Sequence, residues 1–184
     1  MPNGAKSFKD FTESLASIEW PQELEVRQIE APQGLAPHSI AYAADVIAGA
    51  GNRDRGTGRL IFLEDDSEPA GWGGTRRAII FAQSPIEPGL GGDDELAAVA
   101  WSWLIDELKA SEAEYVLPSA TVTRIVSAGF GELAKQGKGS QLEVRGSWSP
   151  TGNSAAAHAE AWARFVCQVA GFTPQPTGVA SLGH

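Results

Sequence analysis

Two pairs of β-rich segments, each joined by a short connection, most constrain the fold of this chain. The first pair covers residues 59–64 (RLIFLE) and 76–84 (RRAIIFAQS), on either side of an acidic, glycine-containing stretch. The second pair covers residues 121–127 (TVTRIVS) and 141–148 (QLEVRGSW), and the latter alternates apolar with polar side chains. Connections of this length suit antiparallel neighbours, whereas parallel strands need a long crossover that usually holds a helix. We therefore expect two hairpins in an antiparallel sheet.

Four further segments predict helices, because apolar residues recur in them every three to four positions. They cover residues 7–20, 37–49, 94–110 and 154–171. The expected N-caps are Ser7, Asp93 and either Asn153 or Ser154. The stripe of the second helix is formed by Ile40, Ala43, Ala44 and Ile47. Residues 23–30 (ELEVRQIE) fit a short exposed strand.

These elements predict one α+β domain over residues 1–173 and an extended C-terminal tail over 174–184. The domain would hold an antiparallel sheet of four to five strands, with three to four helices packed on it. Helix, strand, strand occurs over residues 37–84 and again over 93–148, which suggests a structural pseudo-repeat. The element order is similar to that of secretion-chaperone-like folds, whose members often dimerise and bind partner proteins. That similarity concerns the fold and does not fix a function.

The net charge, the N-terminal sequence, the apolar runs and the cysteine content limit the classes of function that the chain can have. The formal net charge is −9, and such a field repels polyanions and disfavours non-specific nucleic-acid binding. The N-terminus lacks the apolar core of a secretory signal, and the longest nearly apolar run, residues 96–105, is too short to cross a bilayer. The single cysteine favours a reducing compartment. We therefore expect an acidic cytoplasmic protein with no membrane partner.

Several motifs occur in an order that resembles one known family. They are LAPHS at 35–39, GRLIFL at 58–63, WSWL at 101–104, TVTR at 121–124, FGEL at 130–133, EVRGSW at 143–148 and AEAWARFVCQVAG at 159–171. Together they resemble the actinobacterial family called Domain of Unknown Function 3000, over most of the chain. That family has no assigned activity, so the resemblance implies no catalytic residues. Its members are often encoded beside a ribonuclease resembling ribonuclease D, which implies a connection to RNA by association only.

Two glycine-rich motifs approach the pattern of phosphate-binding loops. Residues 129–134 (GFGELA) match a relaxed dinucleotide fingerprint, and residues 131–140 (GELAKQGKGS) nearly spell a phosphate loop. The fingerprint requires a full helix and then a parallel strand, but here the next strand begins about ten residues on. We therefore expect a turn and no nucleotide cofactor.

The histidines and the cysteine do not form a metal pattern. His38, His158 and His184 are not paired at metal-ligand spacing, and Cys167 lies nine residues after His158, on another helical face. We expect His158 to pack beside Trp162, one turn on, and Cys167 to be a small buried residue. His158 and Cys167 remain candidate site residues for the hypothesis of an enzyme whose site is dispersed over several loops.

The connection between the first two strands carries an acidic cluster. Paired carboxylates such as Asp65 and Asp66, with Glu68 nearby, can hold magnesium or transfer protons. In a hairpin, however, Glu64 lies beside the start of the next strand, which holds Arg76 and Arg77. Cross-strand charge pairing at a solvated loop is the simpler expectation.

Arginines and tryptophans supply the candidate binding surface. Five arginines fall within 25 positions, with Trp72 among them: Arg53, Arg55, Arg59, Arg76 and Arg77. Such a segment can bind single-stranded nucleic acid or a phosphate-bearing ligand, although nearby acids cancel its formal charge.

Trp101 and Trp103 are two positions apart in a helix and therefore point in nearly opposite directions. We expect Trp101 to face the sheet. Trp103 would be covered by the first helix, by the loop at 85–92, or by a protein partner.

These observations favour a non-catalytic cytosolic protein that acts by binding another protein or by self-association. The candidate surface is Trp72, Arg76, Arg77 and Trp103, and no metal or cofactor is expected. An accessory RNA-processing or nucleic-acid-binding factor is the second hypothesis. A small-molecule enzyme that uses Asp65, Asp66, His158 or Cys167 is the third.

Overall fold

The computed structural model describes residues 7–47, 55–87, 89 and 94–172. Its helices are α1 (Phe8–Glu13), which continues into a 3₁₀ turn at Ser14–Ser17, α2 (Leu96–Ala110) and α3 (Ala155–Val169). The strands are β1 (Leu24–Ile29), β2 (His38–Val46), β3 (Thr57–Glu64), β4 (Arg76–Ile86), β5 (Tyr115–Ala128) and β6 (Lys138–Pro150). A 3₁₀ helix, Gly131–Gln136, lies between β5 and β6. Among the described residues, no helix has the length and apolar character needed to cross a membrane.

The strands form one six-stranded sheet in the order β1-β2-β3-β4-β6-β5, and every neighbouring pair is antiparallel. Helix α2 connects β4 to β5 across the position of β6, so β5 becomes an edge strand and β1 forms the other edge. The predicted α+β class and antiparallel pairing are confirmed. The sheet has six strands rather than the predicted four to five.

The extra strand is β2, and here the prediction of a helix over residues 37–49 was wrong. Tyr42 and Ala44 point toward the helices, while Ala41 and Ala43 are buried on the opposite face. A strand buried on both faces reads as a continuous apolar run, which periodicity does not separate from a buried helix. The predicted helix-strand-strand pseudo-repeat is therefore also wrong.

The predicted N-caps at Ser7 and Ser154 are confirmed, whereas the N-cap position of α2 is Glu95 rather than the predicted Asp93. The Ser7 hydroxyl accepts a hydrogen bond from the Asp10 amide (3.2 Å), and the Asp10 carboxylate accepts one from the Ser7 amide (3.1 Å). This reciprocal capping box satisfies two amides that the first helical turn would otherwise leave free. Ser154 occupies the N-cap position of α3. The predicted cap Asp93, Arg53, His184 and the tail at 174–184 lie outside the described residues.

The hydrophobic core lies between the helices and one face of the sheet. Its largest fully buried side chains are Phe11, Phe62, Trp148, Trp162 and Phe165. Gly58 on β3 lets α3 approach closely, because a Cβ there would lie 2.6 Å from Cγ2 of Val166 and 3.0 Å from Cζ2 of Trp162. Burial of each such aromatic side chain stabilises the fold by roughly 1.5–3 kcal/mol. The helices thus cover one face of the sheet, and the candidate site lies on the other.

Candidate functional site on the open face of the sheet

The face of the sheet opposite the helices carries a depression of about 520 Å³. We call this surface the open face and define it by the side chains that line the depression. They are Arg59 and Ile61 of β3, Arg77, Ile79 and Phe81 of β4, Arg145 and Ser147 of β6, Ser119 and Thr121 of β5, and Trp72 of the β3–β4 loop. Because side chains alternate across a strand, these residues fall between the positions that face the core.

Strand pairing arranges the open face in rows. One row holds Arg59, Phe81 and Arg145, which are direct cross-strand partners. The next row holds Ile61, Ile79 and Ser147, and the third holds Leu63 and Arg77. An apolar centre formed by Ile61 and Ile79 is thus flanked by arginines at both ends of the strand direction.

The β3–β4 loop closes one end of the depression. The Asp65 amide donates to the Thr75 carbonyl (2.8 Å), and hydrogen bonds from the side chain and amide of Ser67 lower the pKa of Asp65. The Ser149 hydroxyl donates to the Trp72 carbonyl, which ties the loop to β6. Gly73 has a φ of 68°, and a Cβ there would lie 2.8 Å from the Leu117 side chain. Glycine is therefore required where the loop meets β5.

Arg77 is a half-buried cation held by neutral oxygens. Its Nη1 donates to the Leu117 carbonyl (3.2 Å) and to the Ser149 hydroxyl (3.0 Å), and its Nη2 donates to the Ser147 hydroxyl (2.7 Å). Within the described part of the chain, no carboxylate forms a salt bridge with it. Burial lowers the pKa of Arg77, which shows that its charge has lost part of its hydration. An anion arriving here would restore that lost stabilisation.

Arg59 and Arg145 form the opposite end of the depression. Nη1 of Arg59 donates to the Thr57 hydroxyl (2.9 Å) and to the Gly58 carbonyl (2.8 Å). Nε of Arg145 lies 2.7 Å from the Glu143 carboxylate, and its guanidinium carbon lies 5.6 Å from the centroid of the Phe81 ring. Because the Arg145 side chain is 70% exposed, this ion pair is weak and can exchange for another carboxylate.

The structure brings Trp72 and Arg77 together but separates Arg76 from the candidate surface. Arg76 points to the helical side, where its Nε lies 2.6 Å from Oε2 of Glu64 and its guanidinium lies 4.4 Å from the Phe11 ring centroid. Consecutive strand residues face opposite sides, so Arg76 and Arg77 do not share a surface. The predicted Glu64–Arg76 charge pairing is confirmed, but the pair is buried rather than solvated.

Trp103 also lies away from the open face. It is half-buried on α2, and its Nε1 lies 3.1 Å from the side-chain amide of Gln168 on α3. Helix α3 therefore provides cover that the sequence did not predict, while residues 88 and 90–92 of the loop at 85–92 lie outside the described residues. Trp101, which was expected to face the sheet, is only half-buried as well. The buried apolar positions of α2 are Leu96, Ala100, Leu104 and Leu108.

His158 and Cys167 belong to the core. His158 is buried as expected, and its Nδ1 accepts a hydrogen bond from Nε1 of Trp148 (2.9 Å), a partner that the sequence did not predict. Burial lowers the pKa of His158 to about 4 and raises the pKa of Cys167 to about 12. Nine helical residues separate them by about 13 Å along α3. The imidazole is thus neutral, the thiol is protonated, and the two do not form a nucleophile–base pair.

In the acidic cluster of the β3–β4 loop, Asp65 has a structural role, because its carboxylate accepts a hydrogen bond from the Ser67 amide. Asp66 is exposed and lines a second depression, of about 640 Å³, beside His38, Glu64 and Arg76. No group of three or more metal-ligating side chains occurs within the described ranges.

The glycine-rich motifs at 129–140 form the β5–β6 turn that the spacing predicted. A 3₁₀ helix of six residues leads directly into an antiparallel strand. This arrangement leaves no helix to hold a pyrophosphate.

Sequence reasoning did not single out Phe81 and Arg145 as part of this site. Their signal was present in the alternation of RRAIIFAQS, where Arg77, Ile79 and Phe81 share one face, and of QLEVRGSW, where Arg145 and Ser147 do so. Which faces meet depends on the strand pairing, which is a long-range property.

Comparison with protein families gives one match. A family model described as "Protein of unknown function (DUF3000)" matches residues 4–180. No curated protein and no solved structure matches the chain significantly.

Proposed function

This chain belongs to the DUF3000 family, and we propose that it is a non-catalytic cytosolic binding protein whose open face takes an acidic segment of a partner protein. The observation that carries the proposal is Arg77. It is a partly desolvated cation on the face of the sheet opposite the helices, and its hydrogen-bond partners in the described structure are neutral oxygens. A carboxylate is the protein group whose charge and planar geometry match a guanidinium.

The apolar centre of the open face supports a protein partner. Ile61, Ile79 and Phe81 are half-buried and line the depression without cover from the helices. An apolar side chain seated there would be stabilised by about 25 cal/mol for each Å² of apolar surface removed from water. Arginines around an apolar centre, with a tryptophan at the margin, are typical of protein–protein interfaces.

Charge favours an acidic peptide over nucleic acid. The chain carries a net charge of −9, which repels a polyanion at long range. A short acidic segment carries less charge and interacts mainly with the arginines of the open face. Single-stranded nucleic acid also needs several free aromatic faces for stacking. Two aromatic residues line the open-face depression, Phe81 and Trp72. Arg145 lies over the Phe81 ring, so in the described structure only the Trp72 ring has no cation over it.

The chemistry of the reactive side chains supports binding rather than catalysis. His158 and Cys167 are buried on the other side of the sheet in protonation states unsuited to nucleophilic attack. Asp65 accepts hydrogen bonds within its own loop. None of the three lines the open-face depression.

A selection from a displayed random-peptide library tests the proposal without a known partner. The expected enriched peptides combine acidic and apolar residues. Arg59→Glu with Arg145→Glu should weaken their binding by about tenfold or more, because like charges would then face each other. The matched control is Lys135→Glu with Lys138→Glu, which changes the net charge equally at two exposed residues, one in the β5–β6 turn and one at the start of β6, and should leave binding unchanged.

Three outcomes would contradict the proposal. The first is enrichment of basic peptides or of peptides without charge preference. The second is equal binding of the selected peptides to both double variants. The third is tighter binding of a single-stranded oligouridylate than of any selected peptide, lost in Arg59→Glu with Arg145→Glu, which would identify the open face as a nucleic-acid site.

A further inference from the structure

Building on the proposed function, we propose that the partner segment lies extended along the strands and presents two acidic side chains four residues apart, with an apolar side chain midway. The open face would thus recognise the pattern acid, any, apolar, any, acid. The inference follows from the spacing of the arginines, from the direction in which each side chain lies, and from the apolar row between them.

The spacing comes from the strand register. Arg77 precedes Phe81 by four residues on β4, and Phe81 pairs with Arg59 on one side and with Arg145 on the other. At a rise of about 3.3 Å per residue, the backbone rows that carry the two arginine-bearing ends lie about 13 Å apart along the strand.

The side-chain hydrogen bonds shift the guanidinium groups of both ends in the same direction along the strands, because Arg77 reaches toward the middle row at Ser147 while Arg59 and Arg145 lean away from that row. Arg77 donates to Ser147 and Ser149 of β6, whereas Arg145 is bonded to Glu143 of the same strand. Arg59 likewise bonds Thr57, away from Ile61. The guanidinium groups therefore do not converge on one anion, and each end is suited to its own carboxylate.

The row between the two ends has no charged residue on β3 or β4, although the Arg77 guanidinium reaches its β6 end at Ser147. Ile61 and Ile79 pair there, and the row continues through Ser147 to Ser119. A carboxylate placed over the isoleucines would lose hydration without gaining a cation, whereas an apolar side chain would be stabilised. The middle contact position is therefore apolar.

An extended segment matches these three contacts. In an extended chain, residues i, i+2 and i+4 face the same side, and the first and last lie about 13 Å apart. In a helix, residues i and i+4 are separated by only about 6 Å along the axis, which is too short to reach both ends.

Fluorescence anisotropy with labelled synthetic peptides tests the spacing. One peptide carries two glutamates separated by three residues, with a leucine midway, in a serine- and glycine-rich background. Its isomer has the same composition, but the glutamates are separated by two residues. We expect the first to bind about tenfold more tightly, because the isomer turns one glutamate away from the sheet. Replacement of both glutamates by glutamine should remove the difference.

Variants of the protein test whether each arginine-bearing end of the open face binds one glutamate of the peptide. Arg59→Gln with Arg145→Gln should abolish the preference for the first peptide, and so should Arg77→Gln. Because Arg77 also bonds β5 and β6, its circular dichroism spectrum and melting temperature are compared with those of the unchanged protein. Arg77→Lys keeps the charge and should retain part of the preference. Lys135→Gln with Lys138→Gln is the control with the same charge change, and it should leave the preference intact.

The outcomes separate this inference from the proposed function. If both isomers bind equally, and both lose affinity in Arg59→Glu with Arg145→Glu, the open face binds acidic segments but the spacing rule is overturned. If neither synthetic peptide binds and the library selection yields no acidic sequences, both proposals are overturned.

Discussion

The two faces of β4 use the same residue types for different purposes. Toward the helices, Arg76 is buried and paired with the buried carboxylate of Glu64. Toward the open face, Arg77 is half-buried and bonds only neutral oxygens in the described structure. Neighbouring arginines thus differ in what balances their charge. The first is neutralised within the fold, and the second retains a charge that another molecule can satisfy.

The same contrast holds for the apolar residues of the two faces. Ala78, Ile80 and Ala82 are fully buried under the helices, whereas Ile79 and Phe81 are only half-buried on the open face. Substitutions on the helical side should therefore change stability, and substitutions on the open side should mainly change binding.

The largest expected effect is at Arg76. Arg76→Ala leaves the Glu64 carboxylate buried without its cation, so the free energy of unfolding should fall by roughly 3–5 kcal/mol. Urea denaturation measures the loss. The matched control is Arg59→Ala on the open face, which should change the free energy of unfolding by about 0.5 kcal/mol or less. Equal losses of unfolding free energy in the two variants would contradict the expected difference between the two faces of the sheet.

The next effect is a pH dependence from His158. Its side chain is 1% exposed, and its pKa falls from 6.5 in the unfolded chain to about 4 in the fold. The folded protein keeps the imidazole neutral, whereas the unfolded chain takes up a proton below pH 6.5. The contribution of His158 to the free energy of unfolding is therefore fully present above pH 6.5 and is lost as the pH falls toward 4. The total is roughly 3–4 kcal/mol, from about 1.4 kcal/mol for each pKa unit.

His158→Gln isolates this contribution, because glutamine does not titrate and keeps an acceptor for the indole of Trp148. Unfolding free energies of both proteins are measured from pH 7.5 to pH 4.5. The difference between them should shrink as the pH falls. A difference that stays constant with pH would mean that His158 is not held neutral by the fold.

Much of the architecture was predictable from local pattern. The capping box at Ser7 and Asp10, the helices α2 and α3, and strands β3 to β6 follow from residues close in sequence. Strand β2 was not predictable, because its small apolar residues Ala41, Ala43 and Ala44 fit a helix stripe as well as a strand buried on two sides. Only pairing with β1 and β3 decides between them.

The candidate site was predictable in part. Trp72 and Arg77 stand out from local composition, and alternation along β4 already separates Arg76 from Arg77. The contributions of Arg145 and Phe81 depend on β4 pairing with β6 rather than β5. Between β4 and β5, α2 carries the chain across the sheet, and no local signal in either strand encodes that crossing.

The smallest of the three effects concerns how closely the helical layer packs on the sheet. Gly58→Ala places a methyl group 2.6 Å from Val166 and 3.0 Å from Trp162, so α3 must shift or change side-chain conformation. Overpacking of this kind costs roughly 1–3 kcal/mol, measured as a lower melting temperature or urea midpoint. Gly74→Ala, in the loop bordering the open face, is the matched control, because no atom lies within 4 Å of its added Cβ. Binding of the selected peptides should survive both changes if α3 stabilises the sheet without shaping the open face. Peptide binding lost in Gly58→Ala but kept in Gly74→Ala would show that the two faces are coupled through β3.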